Sequence, residues 1–291
     1  MMSLIASVVP ASKRTMGVTL HSLVRRLPMA IGPLAGGLCI GLLGETAGVR
    51  VAFALSAGLA GLGLLLLYWL LKPDAPPPPQ DVPQHAVRNH PVALYHLMSP
   101  ELRRLLTCDI LIRFCEQIPY AFVVVWCMRD IPSPVSAMEF GVLTAIEMAT
   151  AVIVYLPVAH FSDRLGKWAF IMLTFIFFTL FPIVLLLCSS FWLLVPAFVL
   201  RGLKEFGEPS RKAMILDLCP SDRRATMFGF YYLLRDLFVA VGAFAGAFLW
   251  EVSPATNFFA ATAFGLCGTI WFALGGRRRN HLASPPRVGP A

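Results

Sequence analysis

The sequence predicts an all-α polytopic membrane protein, a bundle of about eight membrane-spanning helices, and three observations carry that prediction. Apolar residues fill 57% of the 291 positions and charged residues only 14%, with a mean hydropathy of +0.72, far from the balance of a soluble domain. Stretches of about 20 mainly apolar residues, the length that crosses a bilayer, recur with short polar breaks. The basic residues collect in alternate breaks, as the positive-inside rule requires of a chain threaded back and forth through a membrane.

The stretches fall at 17–43, 51–71, 104–128, 138–160, 168–188, 191–215, 225–250 and 256–275. Ahead of the first, MMSLIASVVPASKR has a short apolar run without a basic leader, which reads as the stump of a truncated helix rather than a cleaved signal. The second stretch, Val51–Leu71, carries no charge. A polar segment follows, with Pro76–Pro79 in a row and further prolines at 83 and 91, which predicts an extended linker. Ser99-Pro100-Glu101 then has the composition of an N-cap, a first-turn proline and a first-turn acid opening the third span. The uncharged run Trp168–Leu200 is too long for one crossing, and Pro182 with Ser189–Ser190 divides it between the fifth and sixth. The last stretch lies in the uncharged run Val252–Gly276, ahead of the basic tail Arg277–Arg279.

Alternate threading puts Lys13–Arg14, Lys72–Arg104, Arg164–Lys167, Arg201–Arg224 and Arg277–Arg279 on one side and leaves only Arg50 and Arg129 on the other. The basic loops and the C-terminus are therefore expected in the cytoplasm. The net charge of +8 is a topology signal, not a sign of nucleic-acid binding. The seven cysteines lack ligand spacing and read as small buried apolar residues, with neither metal nor disulfide. No Walker loop, HExxH or GxSxG context occurs, so neither ATP-driven transport nor hydrolytic chemistry is expected, and no cofactor.

Near its start the chain carries a segment that recurs near its end. Pro10–Gly37 lies over Pro220–Ala247 at a constant offset of 210, with identities at Pro10/Pro220, Arg14/Arg224, Leu23/Leu233, Arg25/Arg235, Leu27/Leu237, Ala30/Ala240, Gly32/Gly242, Ala35/Ala245 and Gly36/Gly246. Duplication is the better explanation of such a match than chance. Between the fourth and fifth spans, AHFSDRLGKW (Ala159–Trp168) supplies Asp163, Arg164, Gly166 and Lys167. In the first span, Gly32, Pro33, Gly36 and Gly37 form a glycine-proline motif.

Repeat, linker and loop motif together resemble the major facilitator superfamily of secondary transporters, two six-helix halves joined by a long cytoplasmic loop. The resemblance implies that the two copies lead into helices five and eleven. Residues 1–72 would then be the remnant of an N-terminal half, 73–99 the central loop, 100–276 a complete C-terminal half and 277–291 a basic tail, with helices one to three and most of four absent. It implies that Asp163, Arg164, Gly166 and Lys167 are a cytoplasmic gating motif, with Asp163 facing the helix entered through Met16–Gly17; the loop departs from the family pattern at Ala159, Phe161 and Trp168. The alternative is a generic basic loop. Gly32-Pro33-x-x-Gly36-Gly37 resembles the helix-five motif of antiporters and efflux pumps, a lean towards efflux, while close helix packing alone also accounts for it.

Ionisable residues inside spans are costly unless paired or hydrated. Asp109, Arg113 and Glu116, spaced by four and three, share one face of the third span. Glu147 stands in the fourth with no charged neighbour in sequence. Arg113, Glu116 and Glu147 are the transport candidates: either carboxyl can bind a proton, or Arg113–Glu116 is a static pair. Arg201, Glu205, Glu208, Arg211, Asp217, Arg223, Arg224 and Arg235 read as a cytoplasmic charge network, with Lys204 onward snorkelling to the membrane surface.

The expectation is a multi-pass permease of an inner membrane. It would take a small-molecule substrate by alternating access, coupled to protons and seated in a lipid bilayer, with no nucleic-acid partner. The competing expectation is a truncated, non-transporting membrane protein, or a packing partner of another one. Neither the solute nor an oligomeric state is legible.

Overall fold

The computed structural model describes residues 14–70, 91–165, 167–220 and 223–282, all helix and short connections. In chain order these are α1 (Arg14–Leu43), α2 (Glu45–Leu70), α3 (Pro91–Leu97), α4 (Pro100–Tyr120), α5 (Phe122–Val125) running into a π-helical turn (Trp126–Asp130), α6 (Ala137–Leu165), α7 (Lys167–Leu186), α8 (Phe191–Leu203), α9 (Glu208–Leu218), α10 (Arg224–Val252) and α11 (Pro254–Leu282). Of the central linker, 73–90 lies outside the described residues; its last part is not extended as expected but forms α3, Pro91–Leu97.

Local chemistry fixes several ends. Ser99 caps α4 through its Oγ, which accepts from the Leu102 amide at 3.2 Å, with Pro100 and Glu101 in the first turn as the sequence predicts. A capping box opens α6: Glu139 accepts from the Ser136 amide at 2.7 Å, and Ser136 Oγ accepts from the Glu139 amide at 3.2 Å. Gly44, at φ +79°, lets the chain reverse between α1 and α2.

Five described helices are long and apolar enough to cross a membrane, and α4 with its continuation to Asp130, bent by 42°, makes a sixth. This is fewer than the eight expected. In the first predicted span the apolar portion of the described helix is Ile31–Leu43. The span predicted at 191–215 is not one helix: it breaks at Lys204–Gly207 into α8 and α9. The Gly207 amide leaves the helical ladder to donate to Thr174 Oγ1 on α7 at 2.5 Å, and Glu208-Pro209 then restarts the helix. Pro182 does not divide the apolar run either; it sits inside α7, and the break falls at 187–190.

Short connections make successive long helices antiparallel. At the centre α4 packs against α10 and α11, α11 against α7, and α6 against α8. Close approaches rely on glycine: a Cβ on Gly246 of α10 would strike the Ile118 carbonyl of α4. Asn257 closes the same junction, donating to the Gly246 and Ile118 carbonyls at 2.8 and 3.3 Å. α1 packs along α6, with Gly37 against Ala137–Met138 and Gly141 against the Pro33 carbonyl. Among the described residues α2 leans mainly on α1, at Gly48, and leaves its apolar residues exposed, the composition of a lipid-facing helix. Two large apolar clusters, with a small third of Cys115, Ile118 and Ala261, fill the bundle. One, around Leu102, Ile112, Ile171, Phe175 and Tyr231, lies towards the basic end; the other, around Leu143, Leu185, Leu194, Phe198 and Phe258, lies towards the opposite end.

Candidate functional site: a buried chain of alternating charges

Between those clusters the ionisable residues of α4, α6, α8, α9 and α10 meet. On α4, Arg113 Nη1 donates to Glu116 Oε2 at 2.6 Å, the pair that the i, i+3 spacing predicts. The other Glu116 oxygen accepts from Lys204 Nζ at 2.6 Å. Lys204 also approaches Glu147 Oε1 of α6 at 3.7 Å, and Arg201 Nη1 approaches Glu147 Oε2 at 3.3 Å. In the other direction Arg113 Nη2 reaches Glu208 Oε2 at 3.4 Å, and Glu208 pairs with Arg211 of its own helix and with Lys212 at 3.3 Å. Arg211 pairs in turn with Asp109, which also accepts from the Tyr231 hydroxyl at 3.1 Å and lies 3.7 Å from Arg235. Arg235 ends the chain on Asp236 at 2.7 Å.

Read end to end, Arg201, Glu147, Lys204, Glu116, Arg113, Glu208, Arg211, Asp109, Arg235 and Asp236 alternate in sign without interruption. Each of the four inner carboxylates touches at least two cations. In a low-dielectric interior that is the arrangement in which buried charge is tolerable, because mutual attraction offsets lost hydration. Aromatic faces add to it: the Arg201 guanidinium lies 5.4 Å from the Phe181 centroid, and Lys204 and Arg113 each lie 5.5 Å from that of Phe178.

Residues that the sequence separates by depth are thus brought together, with Arg113, Glu116 and Glu147 continuous with Arg201, Glu208, Arg211 and Arg235. Lys204 and Arg211 do not snorkel; both are buried, because a carboxylate inside each site outweighs the reach to the surface. The remaining network candidates sit at the basic end. Asp217 pairs with Lys167, Glu205 lies in the α8–α9 turn, and Arg223 and Arg224 open α10. Of the loop motif, Gly166 lies outside the described residues, as do the side chains of Asp163 and Arg164 and those of Met16–Gly17, so the expected facing of Asp163 to Met16–Gly17 falls outside them too. The Gly37 and Gly141 contacts set α1 antiparallel to α6, a register that brings the last turns of α6 beside the first turns of α1.

Gly32, Pro33, Gly36 and Gly37 divide in two. Pro33 and Gly37 make the α1–α6 crossing, whereas a Cβ on Gly32 or Gly36 would meet nothing within 4 Å. Pro33, Gly36 and Gly37 border an open cleft of about 870 Å³ between α1, α2, the end of α5 with its π-helical turn, and the start of α6, and Glu45 and Arg129 are its charged lining residues. One contact and one member of the network escape sequence reasoning. Asp109 is visible on the α4 face, but nothing local indicates that Arg211, 102 positions on, closes over it. Tyr231 carries no local signal of its role, which is to donate to Asp109 from a fully buried position.

Among the described residues no group of three or more His, Cys, Asp or Glu could hold a metal ion. The five buried cysteines, Cys108, Cys115, Cys127, Cys188 and Cys219, lie free in apolar surroundings.

Comparison with known proteins gives two findings. A tetracycline resistance protein of class B from Escherichia coli is 29% identical over 125 residues, 43% of this chain and 31% of the relative. The alignment thus spans about a third of that curated relative's length. A sequence model of the Major Facilitator Superfamily matches residues 1–131 and, in a second overlapping match, residues 105–290. With its helical, multi-pass architecture and this match across nearly its whole length, the chain belongs to the Major Facilitator Superfamily.

Proposed function

We propose that this chain works in secondary active transport, moving a small solute across an inner membrane by alternating access coupled to protons. The observation that supports this best is the alternating charge chain itself. A static scaffold needs no ionisable groups here, since apolar residues of the same size pack as well or better. A carboxylate held between two cations can instead change partners, or take a proton, as helices rearrange. Glu116 and Glu147 are the coupling carboxylates in this reading, with Lys204 as the cation shared between them. Glu147 Oε2 is buried without a hydrogen bond and meets Arg201 only at 3.3 Å, so Glu147 is the carboxylate held more loosely of the two.

The basic loops and the C-terminus face the cytoplasm in this account, and the motif around Asp163, Arg164, Gly166 and Lys167 gates that side. Efflux is the preferred direction, on two grounds: the glycine-proline motif borders an open cleft, and the matched relative is named for resistance to a drug. Tetracycline is accordingly the first test solute. The chain is reconstituted into vesicles, a pH gradient is imposed, and solute flux is followed in wild type, Glu116→Gln and Glu147→Gln. Gradient-driven flux in wild type that is lost in both variants supports the proposal. Flux equal to empty vesicles across a panel of drugs, sugars and organic anions favours the non-transporting reading, and normal flux in both variants at every pH refutes coupling through these carboxylates.

A further inference from the structure

Arg201 is the loosest member of the charge chain. Its guanidinium meets Glu147 Oε2 at 3.3 Å, but that oxygen has no hydrogen-bond partner. Its other contacts are aromatic faces, those of Phe181, Phe198 and Tyr120, at 5.4, 5.5 and 5.9 Å. Among the described residues the guanidinium therefore makes no hydrogen bond, although its N–H fork is built for bidentate pairing. Glu116 differs, having both oxygens hydrogen-bonded, to Lys204 and to Arg113.

A small, partly open space of about 10 Å³ lies against this group, bordered by Glu116, Tyr120, Phe181, Arg201 and Lys204. That is room for one water-sized atom. Among its lining groups the Arg201 N–H donors are the uncommitted ones, since Glu116 and Lys204 are bonded to each other. Two cations, Arg201 and Lys204, border it against one carboxylate, Glu116, so the balance of charge favours an anion.

We propose that Arg201, with Tyr120, forms a subsite for a monovalent anionic group, either a halide or one oxygen of a carboxylate on the transported solute. As a statement about the solute this rests on the transport reading; as a statement about binding it does not. Glu147 is then the internal competitor for Arg201, and an arriving anion displaces it and frees it to take a proton.

The test is chloride NMR line broadening by the full 291-residue chain in detergent, which requires no flux. Wild type should broaden the chloride line saturably. Arg201→Gln should lose the specific broadening by about fivefold or more, since it removes the charge-assisted donors, and Arg201→Lys should keep part of it. Glu147→Gln removes the competitor and should tighten chloride binding by roughly threefold or more. That arm also serves if Arg201→Gln fails to fold, because a proton or cation site would predict weakening. Displacement of chloride by acetate identifies a carboxylate as an accepted group, and retention against acetate identifies a halide site; either outcome supports the subsite. Broadening that is absent in wild type, or unchanged in both Arg201→Gln and Glu147→Gln, overturns it. Anion binding without solute flux would count against the transport reading while leaving the subsite standing.

Discussion

Asp109 is the residue whose replacement the structure prices most sharply. It is fully buried and holds three partners: the Arg211 guanidinium, the Tyr231 hydroxyl at 3.1 Å and Arg235 at 3.7 Å. Asp109→Asn keeps the shape and an acceptor for Tyr231 but leaves Arg211 with Glu208 alone, and Glu208 already serves Arg113 and Lys212. Stranding a buried cation costs about 3–5 kcal/mol, a large share of a domain's roughly 5–15 kcal/mol. Arg211→Gln should cost a similar amount for the mirror-image reason. The double variant removes both charges and should be less damaged than the sum of the singles by about 2–3 kcal/mol, the coupling of residues in contact. Denaturant unfolding in mild detergent, followed by the reactivity of the buried Cys108 thiol one position away, reads all three. A loss below about 1 kcal/mol for Asp109→Asn, with additive singles, would mean that the pair does not carry the energy its burial implies.

Gly246→Val should destabilise the bundle by roughly 1–3 kcal/mol or prevent its folding, because the added carbon strikes the Ile118 carbonyl; thermal unfolding in detergent checks it. The same measurement on Asn257→Leu should show a loss of roughly 1–3 kcal/mol, since two carbonyls lose their donor between α4, α10 and α11. Lys167→Ala should change stability by no more than about 1 kcal/mol, and less in high salt, because its partner Asp217 is exposed; a large, salt-independent loss would contradict that.

Much of the fold is legible in the sequence because a bilayer simplifies the problem. Long uncharged runs such as Val51–Leu71 and Val252–Gly276 leave little choice but helix, and local signals such as Ser99-Pro100-Glu101 mark their starts. The break at Lys204–Gly207 is not legible: it depends on Thr174, 33 positions earlier, accepting the Gly207 amide. The 42° bend between α4 and the helix to Asp130 likewise follows Pro119 into a packing environment that the sequence alone does not specify. At the site, periodicity reveals one-helix relationships and no more. It gives the Arg113–Glu116 pair, but not that Lys204 ties Glu116 to Glu147 across three helices, nor that Arg211 turns inward. Depth along a span suggests snorkelling for Lys204 and Arg211, and only the positions of distant carboxylates reverse that preference.

The measurement that reaches the centre of the account is pH-gradient-driven flux of the test solute into vesicles holding wild type or Glu147→Gln. Proton coupling through Glu147 predicts flux in wild type that follows the gradient, and in the variant only gradient-independent exchange or none. Gradient-driven flux of equal size in both would contradict it.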